Sequence, residues 1–351
     1  GNASDFFAKN ISDMVNDGVK IVGGCCGTNP LYIKKIVEGL ASYSPTKLIK
    51  YRGMVKSIKD VVLPENELLL AMKKGEKIIA VELDPPMNTD IEFFMEGANR
   101  LKQQGVNAIT IADCPLAKAR VDSSLLACKL KRELDITPIP HMTCRDRNLN
   151  ATKALLLGLN IEGVENVLVV TGDPVPSPMR DEIKTMFSFN SAILAKHISE
   201  LNNDVFVKPF GIYGAININA VNFQAQLNQA KKKVANGVTV LFTQPVLSEE
   251  AFHNLIQIKK ELDVKVMGGI IPIVSHRNAN FMNNEIAGIN VSEDIIRQYE
   301  GIDKEEATKL AIKLSVEIAK KITDYVDGYY IITPFRRVDI VEQIIKEIRE
   351  F

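Results

Sequence analysis

The sequence predicts an α/β protein whose main domain is a closed (β/α)8 barrel of the TIM type, preceded by an αβα segment. Between residues 77 and 245, six short β-branched apolar stretches each end at a polar residue, and a helix-length segment separates each from the next. Such alternation favours a parallel sheet, and eight strands favour closure over an open sheet. Because the C-terminal ends of barrel strands meet at one mouth, we expect these polar residues to form a single site.

Composition narrows the class of protein. With 351 residues, 46% of them hydrophobic, the chain can bury one large core but has little left for a second complete domain. The 43 basic and 43 acidic residues balance without long blocks, which argues against nucleic-acid or anionic-membrane partners. No apolar run approaches the ~20 residues of a membrane span, and no signal-like segment opens the chain, so we expect a soluble, cytoplasmic protein. Five cysteines, an odd number, indicate reduced thiols rather than a disulfide framework.

The first part of the chain, residues 1–44, is predicted to be helix, strand, helix. FFAKNISDMVNDG is amphipathic and closed by Gly18, VKIVGG has the composition of a buried strand, and NPLYIKKIVEGL begins a second helix near Pro30. One αβα unit cannot enclose a core alone. Residues 45–75 are predicted to be a linker and a lead-in helix that plugs or caps the next domain, with the domain boundary near 45–65.

Residues 76–351 are predicted to form the barrel. Strands are expected near residues 77–83, 107–111, 136–141, 166–171, 206–213, 238–243, 265–271 and 328–333. Helices are expected near residues 90–104, 121–134, 148–160, 188–201, 219–236, 248–261, 303–325 and 336–349. No GxGxxG follows the first strand and no GxxxxGK[ST] occurs, so neither a dinucleotide-binding fold nor a P-loop is supported.

Five ordered motifs give this part of the chain a family resemblance. They are VELDPP (81–86), PHMTC (140–144), TGDP (171–174), KKKVANG (231–237) and FTQP (242–245). Together they resemble methylenetetrahydrofolate reductase, a flavin-dependent (β/α)8 enzyme that converts 5,10-methylenetetrahydrofolate to 5-methyltetrahydrofolate. The resemblance implies FAD as the cofactor, NAD(P)H as the electron donor and a folate as the substrate.

A second resemblance lies at VKIVGGCCGTNP (19–30). It is similar to the last strand and following helix of the cobalamin-independent homocysteine methyltransferase barrel, whose GGCCG supplies two thiolates to a catalytic zinc. The order of the two resemblances matches a bifunctional homocysteine S-methyltransferase fused to the reductase, with most of the first module missing here. Because a catalytic zinc takes three protein ligands and an open position, Cys25 and Cys26 are predicted to be an incomplete, empty site. Zinc is expected only in a complete parent methyltransferase module.

Two carboxylates are predicted to be catalytic. The folate ring must open to an N5-iminium ion, with a proton delivered to N10, before a hydride can reach the exocyclic carbon. Glu82 ends the first strand between Val81 and Leu83, and such an apolar setting raises a carboxylic pKa, so the resemblance makes it the proton donor. The resemblance places Asp173 near the flavin and pterin, where a carboxylate stabilises the cation. The alternatives are a surface glutamate and a turn aspartate before Pro174.

The resemblance also implies the binding residues. It assigns contacts with FAD to Thr110, His141, Thr171, Gly172, Asp173, Tyr213, Ala215, Asn217, Lys232 and Lys233. Gln226 and Gln229 join this group because they share a helical face with Lys233. Gln244 is expected to bind the pterin and Arg336 the anionic glutamate tail of the folate. The alternatives are a structural histidine, a strand-end amide and surface lysines.

Three positions depart from the family pattern. Thr171 stands where some members carry an arginine, Asn217 replaces a histidine, and Leu83-Asp84 follows the glutamate where two aromatics are more usual. One flavin contact is therefore lost or rerouted, and the aromatic stacking of the pterin is changed.

Three functions remain open at this point. The first is the reductase, in which NAD(P)H reduces FAD and the folate reoxidises it in the same pocket, giving ping-pong kinetics. The second is zinc-dependent homocysteine S-methyltransfer in a longer parent protein. The third is a flavin- or folate-binding module that receives electrons from a protein partner, although the retained pair of Glu82 and Asp173 argues against pure binding. The nicotinamide type, a protein electron donor and a homo-oligomer are left open.

Overall fold

The chain divides into two compact units, residues 1–61 and 62–351. The computed structural model describes residues 3–25, 27–43, 65–175, 185–186, 189–286 and 288–351. Residues 44–64 lie outside the described part of the chain. This range contains most of the predicted linker and the predicted domain boundary.

The first unit contains two helices, α1 (Ala3–Asn16) and α2 (Pro30–Leu40). The Asn29 side chain caps α2 by accepting a hydrogen bond from the Leu31 N–H, and Pro30 occupies the first turn, where its missing N–H costs nothing. The two helices share a small apolar core of Ala8, Ile11, Val15 and Ile36. The predicted helices of this segment are thus confirmed.

The strand predicted between these helices is wrong. Residues 19–25 have no regular secondary structure, and Ile21 is 91% exposed. A strand must pair its N–H and C=O groups with a neighbouring strand, and the described residues of this unit contain none. The apolar composition of VKIVGG therefore does not produce a strand here.

The second unit is a closed barrel of eight parallel strands in sequential order, with β8 paired to β1. The strands are β1 Ile78–Leu83, β2 Ala108–Ile111, β3 Pro138–Thr143, β4 Asn166–Val170, β5 Gly211–Ile216, β6 Val240–Pro245, β7 Lys265–Ile270 and β8 Gly328–Ile332. The predicted (β/α)8 barrel is confirmed, because both the strand count and the closure agree with the sequence pattern.

Helices surround this sheet. They are α3 Glu67–Lys73, α4 Glu92–Gln103, α5 Ser123–Leu134, α6 Leu149–Ile161, α7 Ser191–Leu201, α8 Phe223–Ala235, α9 Glu249–Glu261, α10 His276–Glu285, α11 Glu293–Gln298, α12 Lys304–Ile322 and α13 Val338–Ile348. The short helices α10 and α11, between β7 and β8, were not predicted. In the described part of the chain, no helix combines the length and apolar character that a membrane span requires.

The start of β5 differs from the prediction. Residues 206–210 were expected to belong to the strand, but the Asn202 side chain holds Phe210 in a loop, accepting from its N–H at 2.8 Å and donating to its carbonyl oxygen at 3.0 Å. The strand therefore begins at Gly211, which makes Tyr213 its third residue rather than its last.

Side-chain alternation divides the barrel into two cores. Outward-facing strand residues pack against the helices in one large cluster. The inward-facing residues Ile78, Ala80, Ala108, Ile139, Leu168, Tyr213, Val240, Phe242, Met267 and Tyr330 fill the interior. Leu68 and Met72 of α3 join this interior cluster, and the Asn66 amide donates to Asn166 Oδ1 at the start of β4 at 2.8 Å. Helix α3 therefore closes the N-terminal end of the barrel, as the predicted plug required.

Truncating the plug should destabilise the barrel. Met72 is 2% exposed, so Met72→Ala leaves a cavity beneath the interior core, and we expect a loss of about 2–5 kcal/mol in the free energy of unfolding. Urea denaturation followed by circular dichroism measures this. Lys74→Ala, at the exposed end of α3, is the control and should change stability by less than about 0.5 kcal/mol. Equal effects of the two variants would contradict the plug.

Candidate active site

The mouth of the barrel brings together polar side chains from neighbouring strands. Ile78 and Ala80 point inward, so alternation places Glu82 on the same interior face, above them. Glu82 pairs in register with Thr110 of β2 and Ile332 of β8. His141 follows the inward-facing residue Ile139 by two positions in β3. Glu82, Thr110 and His141, predicted from separate strand ends, therefore meet in one layer.

The Glu82 carboxyl group lies among partners that shield it from water. Its side chain is 14% exposed, its Oε2 atom accepts a hydrogen bond from the Tyr330 hydroxyl, and His141 Nε2 lies 3.5 Å from Oε2. Tyr330 pairs in register with Ala80, one layer below, and its hydroxyl reaches upward. Tyr330 was not among the predicted site residues, although the alternation in GYYII places it on the inward face of β8.

Burial sets the protonation states of this pair. Desolvation raises the pKa of Glu82 to about 8, helped by the charge of Asp84 and opposed by the Tyr330 hydrogen bond. Desolvation also lowers the pKa of His141 to about 4, against the charge of Asp113. At neutral pH Glu82 therefore carries a proton and His141 does not, so their contact joins two neutral groups. The raised pKa expected for Glu82 is confirmed.

Two polar atoms at the mouth have only weak protein contacts. His141 Nε2 and Thr110 Oγ1 are buried, and within the described residues neither meets full hydrogen-bond geometry, since Nε2 lies 3.5 Å from Glu82 Oε2 and Thr110 lies beside the Tyr330 hydroxyl. An unsatisfied buried polar group costs about 1–3 kcal/mol, and native proteins keep few of them. Both atoms are therefore suited to receive the polar edge of a bound ring.

The loop after β4 carries Gly172 and Asp173. Gly172 has φ +93°, and a Cβ there would lie 3.2 Å from the Cβ atoms of Thr143 and Arg145, so this position requires glycine. Asp173 is exposed, and its Oδ2 accepts the Leu116 N–H at 2.7 Å. The structure therefore joins Asp173 to the β2 loop at the mouth.

An ionic network centred on Asp113, next to this loop, was not predicted from the sequence. Asp113 Oδ2 accepts hydrogen bonds from the Thr143 N–H at 3.0 Å, from the Thr143 hydroxyl at 2.9 Å and from Arg147 Nη1 at 3.0 Å. Arg145 is buried, at 2% exposure. The available signal was the RDR run directly after the PHMTC motif, since charged residues at a barrel strand end face the mouth.

Tyr213 is not where the prediction placed it. Its side chain is 0% exposed, its hydroxyl donates to Asn166 Oδ1 at 2.8 Å, and its ring packs edge-on against Phe242. Because β5 begins at Gly211, Tyr213 belongs to the interior core and not to the mouth. The Tyr213 side chain is therefore occupied in the core, and the assignment of this residue to FAD stays a prediction.

Helix α8 holds the predicted basic residues in different settings. Lys233 Nζ donates to the Ala215 carbonyl oxygen at 2.6 Å, and desolvation lowers the pKa of this lysine to about 8. Lys232 and Gln229 are exposed, and Gln226 is half-buried on the same helix. Lys233 is thus tied to β5.

The remaining predicted binding residues lie at strand ends and in loops. Ala215 and Gln244 are half-buried near the ends of β5 and β6. Asn217 Oδ1 accepts the Asn219 N–H at 2.9 Å, in the loop after β5. Thr171 Oγ1 lies 3.4 Å from Ser191 Oγ.

Two further predicted sites remain, Arg336 in the second unit and the cysteine pair in the first. Arg336, exposed after β8, places its guanidinium carbon 5.1 Å from the centre of the Phe93 ring. Cys25 is exposed, and Cys26 lies outside the described residues. Over the ranges that the structure describes, no three His, Cys, Asp or Glu side chains are grouped so as to hold a metal ion. The zinc assignment stays a prediction.

Comparison with known proteins decides the family. The methylenetetrahydrofolate reductase family model matches residues 68–349. The chain belongs to the methylenetetrahydrofolate reductase family. The homocysteine S-methyltransferase family model matches residues 2–40, in agreement with the second resemblance.

Curated relatives of the reductase family are distant. The 5,10-methylenetetrahydrofolate reductase of Buchnera aphidicola subsp. Schizaphis graminum is 20% identical over 192 residues, covering 54% of this chain and 63% of that protein. Methylenetetrahydrofolate reductase (NADH) 1 of Arabidopsis thaliana is 23% identical over 270 residues, covering 71% of this chain and 44% of that protein. The chain thus spans 63% and 44% of the lengths of these relatives.

A solved structure supports the fold. An uncharacterized protein from Clostridium thermocellum, which binds two copies of 5-methyl-5,6,7,8-tetrahydrofolic acid, has a TM-score of 0.58 and 14% identity to this chain. The match covers 81% of this chain and 98% of that protein. At this identity the likeness supports the barrel architecture alone.

Removing the Tyr330 hydroxyl should raise the pKa of Glu82 further. The Tyr330 hydrogen bond favours the ionised carboxylate, so Tyr330→Phe should move the deprotonation of Glu82 to higher pH. Infrared titration of the carboxylic-acid band that Glu82→Gln abolishes measures the shift. Tyr329→Phe is the matched control, because the Tyr329 hydroxyl contacts Thr323 and not Glu82. A downward shift in Tyr330→Phe would refute this assignment.

Proposed function

We propose that this chain reduces 5,10-methylenetetrahydrofolate to 5-methyltetrahydrofolate, using FAD and NAD(P)H. The observation that carries the proposal is Glu82, a buried carboxyl group with a pKa of about 8 at the mouth of a barrel of the reductase family. Ring opening of this substrate requires an acid that is still protonated at neutral pH. The Clostridium thermocellum protein of similar fold binds a methylated folate, which agrees with this substrate class.

The mouth suits a flavin ring. The weakly bonded His141 Nε2 and Thr110 Oγ1 offer it polar contacts, and Gly172 lets the chain backbone approach closely. Bound flavin would supply the hydride carrier between nicotinamide and folate. The other residues proposed to hold FAD are Thr171, Asp173, Ala215, Asn217, Gln226, Gln229, Lys232 and Lys233. Of these, Lys233 already reaches β5 through the Ala215 carbonyl.

Glu82 is the proposed proton donor to N10 of the folate. Its Oε2 atom accepts a hydrogen bond from the Tyr330 hydroxyl. The transferable proton is therefore assigned to Oε1. Proton transfer breaks the bond between N10 and the bridging carbon and leaves an iminium ion at N5. Hydride addition then gives the N5-methyl group, so one hydride and one proton are consumed for each folate. The proposed role of Asp173 is to stabilise the iminium cation through its carboxylate.

Substrate recognition is assigned to two further residues. The Gln244 amide both donates and accepts hydrogen bonds, which suits the pterin ring. Arg336 is exposed after β8 and carries the positive charge that an anionic glutamate tail requires. For the donor, the name of the Arabidopsis thaliana relative specifies NADH, which makes NADH the first nicotinamide to test.

A second function is proposed for a longer parent protein. The match of residues 2–40 to homocysteine S-methyltransferase favours a zinc site in which Cys25 and Cys26 are two of three ligands. Such a parent would couple folate reduction to methionine synthesis. A parent protein that makes methionine only after its reductase has turned over would support this coupling, and independent activities would contradict it.

The visible spectrum tests the reductase directly. We expect the purified chain to be yellow, to bleach anaerobically with NADH or NADPH, and to recolour when 5,10-methylenetetrahydrofolate is added. Bound flavin that neither nicotinamide bleaches would point instead to a protein electron donor. If no flavin binds even after reconstitution, the proposed cofactor is wrong.

Replacing the acid should separate the two half-reactions. Glu82→Gln should keep flavin bleaching by the nicotinamide within about twofold, while folate reduction falls by about 10²–10⁴, because only the second half-reaction needs the proton. In the unmodified chain the folate half-reaction should slow as the pH rises through about 8, where Glu82 loses its proton. Stopped-flow absorbance measures both steps. Glu76→Gln, an exposed glutamate before the same strand, is the control.

Equal losses in the two half-reactions of Glu82→Gln would show that Glu82 is not the acid. A folate half-reaction that accelerates above pH 8 would also contradict the assignment, because Glu82 has lost its proton there.

A further inference from the structure

Arg145 is a fully buried cation at the end of β3. Its Nε atom donates to both oxygens of Asp146, at 2.9 and 3.0 Å, and its Nη2 donates to Asp146 Oδ2 at 2.6 Å. Its Nη1 donates to the Asp173 carbonyl oxygen at 3.1 Å, and Nη2 also reaches the Cys114 carbonyl oxygen at 3.4 Å. One planar guanidinium therefore binds the loop after β2 and the loop after β4 at once.

The two bound loops meet at Asp173. The Leu116 N–H donates to Asp173 Oδ2 at 2.7 Å, two residues beyond the Cys114 carbonyl that Arg145 holds. Cys114 and Leu116 have φ of +47° and +55°, a left-handed conformation that side-chain-bearing residues seldom adopt. Such conformations persist where the surroundings fix them, and they cluster at functional sites. The strained β2 loop thus aims an N–H at the carboxylate.

Arg145 itself has no surface for a ligand, because it is 2% exposed and its donors are used by protein groups. Arg147, two residues later, provides a comparison. It binds Asp113 at 3.0 Å and Asp122 at 2.5 Å, which links β3 to the β2 loop and to the start of α5. No hydrogen bond of Arg147 reaches the loop of Asp173 within the described residues. The two arginines therefore share a segment, but of the two only Arg145 contacts the loop of Asp173.

We propose that Arg145 is a positioning residue that holds the Asp173 carboxylate toward the reacting folate. By binding both loops, Arg145 keeps the Asp173 backbone next to its hydrogen-bond donor, the Leu116 N–H. The Asp173 carboxylate is therefore positioned before the substrate binds. This role rests on the proposed reductase function, in which Asp173 stabilises the iminium cation. Asp146, at 37% side-chain exposure, orients the guanidinium from the solvent side.

Hydrogen exchange of the protein without added substrates tests the structural half of the proposal. Arg145→Lys keeps the charge but loses the planar fork, so the Leu116 amide and the segment 171–175 should exchange about tenfold faster. Arg147→Lys should leave segment 171–175 unchanged, because Arg147 makes no described hydrogen bond to it. Unaltered exchange in Arg145→Lys would overturn the proposal, whatever reaction the protein catalyses. Should Arg145→Lys fail to fold, Asp146→Asn replaces it and should give the same pattern at lower amplitude.

Half-reaction kinetics test the functional half. Measured with FAD saturating, so that weaker flavin binding by segment 171–175 does not enter, Arg145→Lys should slow folate reduction about tenfold or more while flavin bleaching by the nicotinamide stays within about twofold. In the Asp173→Asn background the same change should cost nothing further, because both substitutions disturb one interaction. If Arg145 had only a structural role, Arg145→Lys would slow both half-reactions, and its effect on the rate would multiply with that of Asp173→Asn. Either result would overturn the proposal. A wild-type chain without folate reduction would refute the proposed function instead, and the exchange result would still decide whether Arg145 positions Asp173.

Discussion

Closure of the eight-stranded sheet is the constraint on which the site depends. Every second residue of each strand must point into one interior, and apolar and aromatic side chains fill its lower layers. The Phe242 ring packs between Tyr213 and Tyr330, with ring centres 5.6 and 5.0 Å away. The Glu82 carboxyl group lies directly above this apolar layer and is therefore largely desolvated. Desolvation therefore dominates the pKa of Glu82, and it does so because of the fold rather than a specific charge.

The strand ends and the loops make different contributions to the mouth. Glu82, Thr110 and His141 sit on strands, where register with neighbours fixes them. Asp173 sits on a loop, and backbone hydrogen bonds of a sheet do not hold it. The structure supplies the missing rigidity through the Arg145 guanidinium and through Gly172, whose lack of a Cβ lets the loop pack on β3. A buried ion pair is weak evidence for stability, so its value here lies in geometry.

How far the sequence predicted this structure depends on the range of each interaction. Strand and helix alternation is local, and it predicted the barrel correctly. The raised pKa of Glu82 was predicted from its neighbours Val81 and Leu83, but these face the helices, and the barrel interior desolvates the acid instead. The failures involve partners outside the local pattern. VKIVGG forms no strand because the described residues of its unit contain no strand to pair with, and Tyr213 lies deeper than expected because Asn202 holds Phe210 out of β5. Tyr330 lies 248 residues from Glu82, so only barrel closure brings its hydroxyl to the acid.

The uncharged state of Glu82 and His141 at neutral pH favours the proposed chemistry. With Glu82 protonated and His141 neutral, the buried layer carries no charge before the substrate binds. In the proposed reaction, proton transfer to the folate would create a carboxylate and an iminium cation together, within a region of low dielectric where opposite charges attract strongly. The Tyr330 hydroxyl donates to that carboxylate and stabilises it. The acid that opens the ring thus becomes the counterion of the cation it forms, which lowers the barrier more than proton donation alone would.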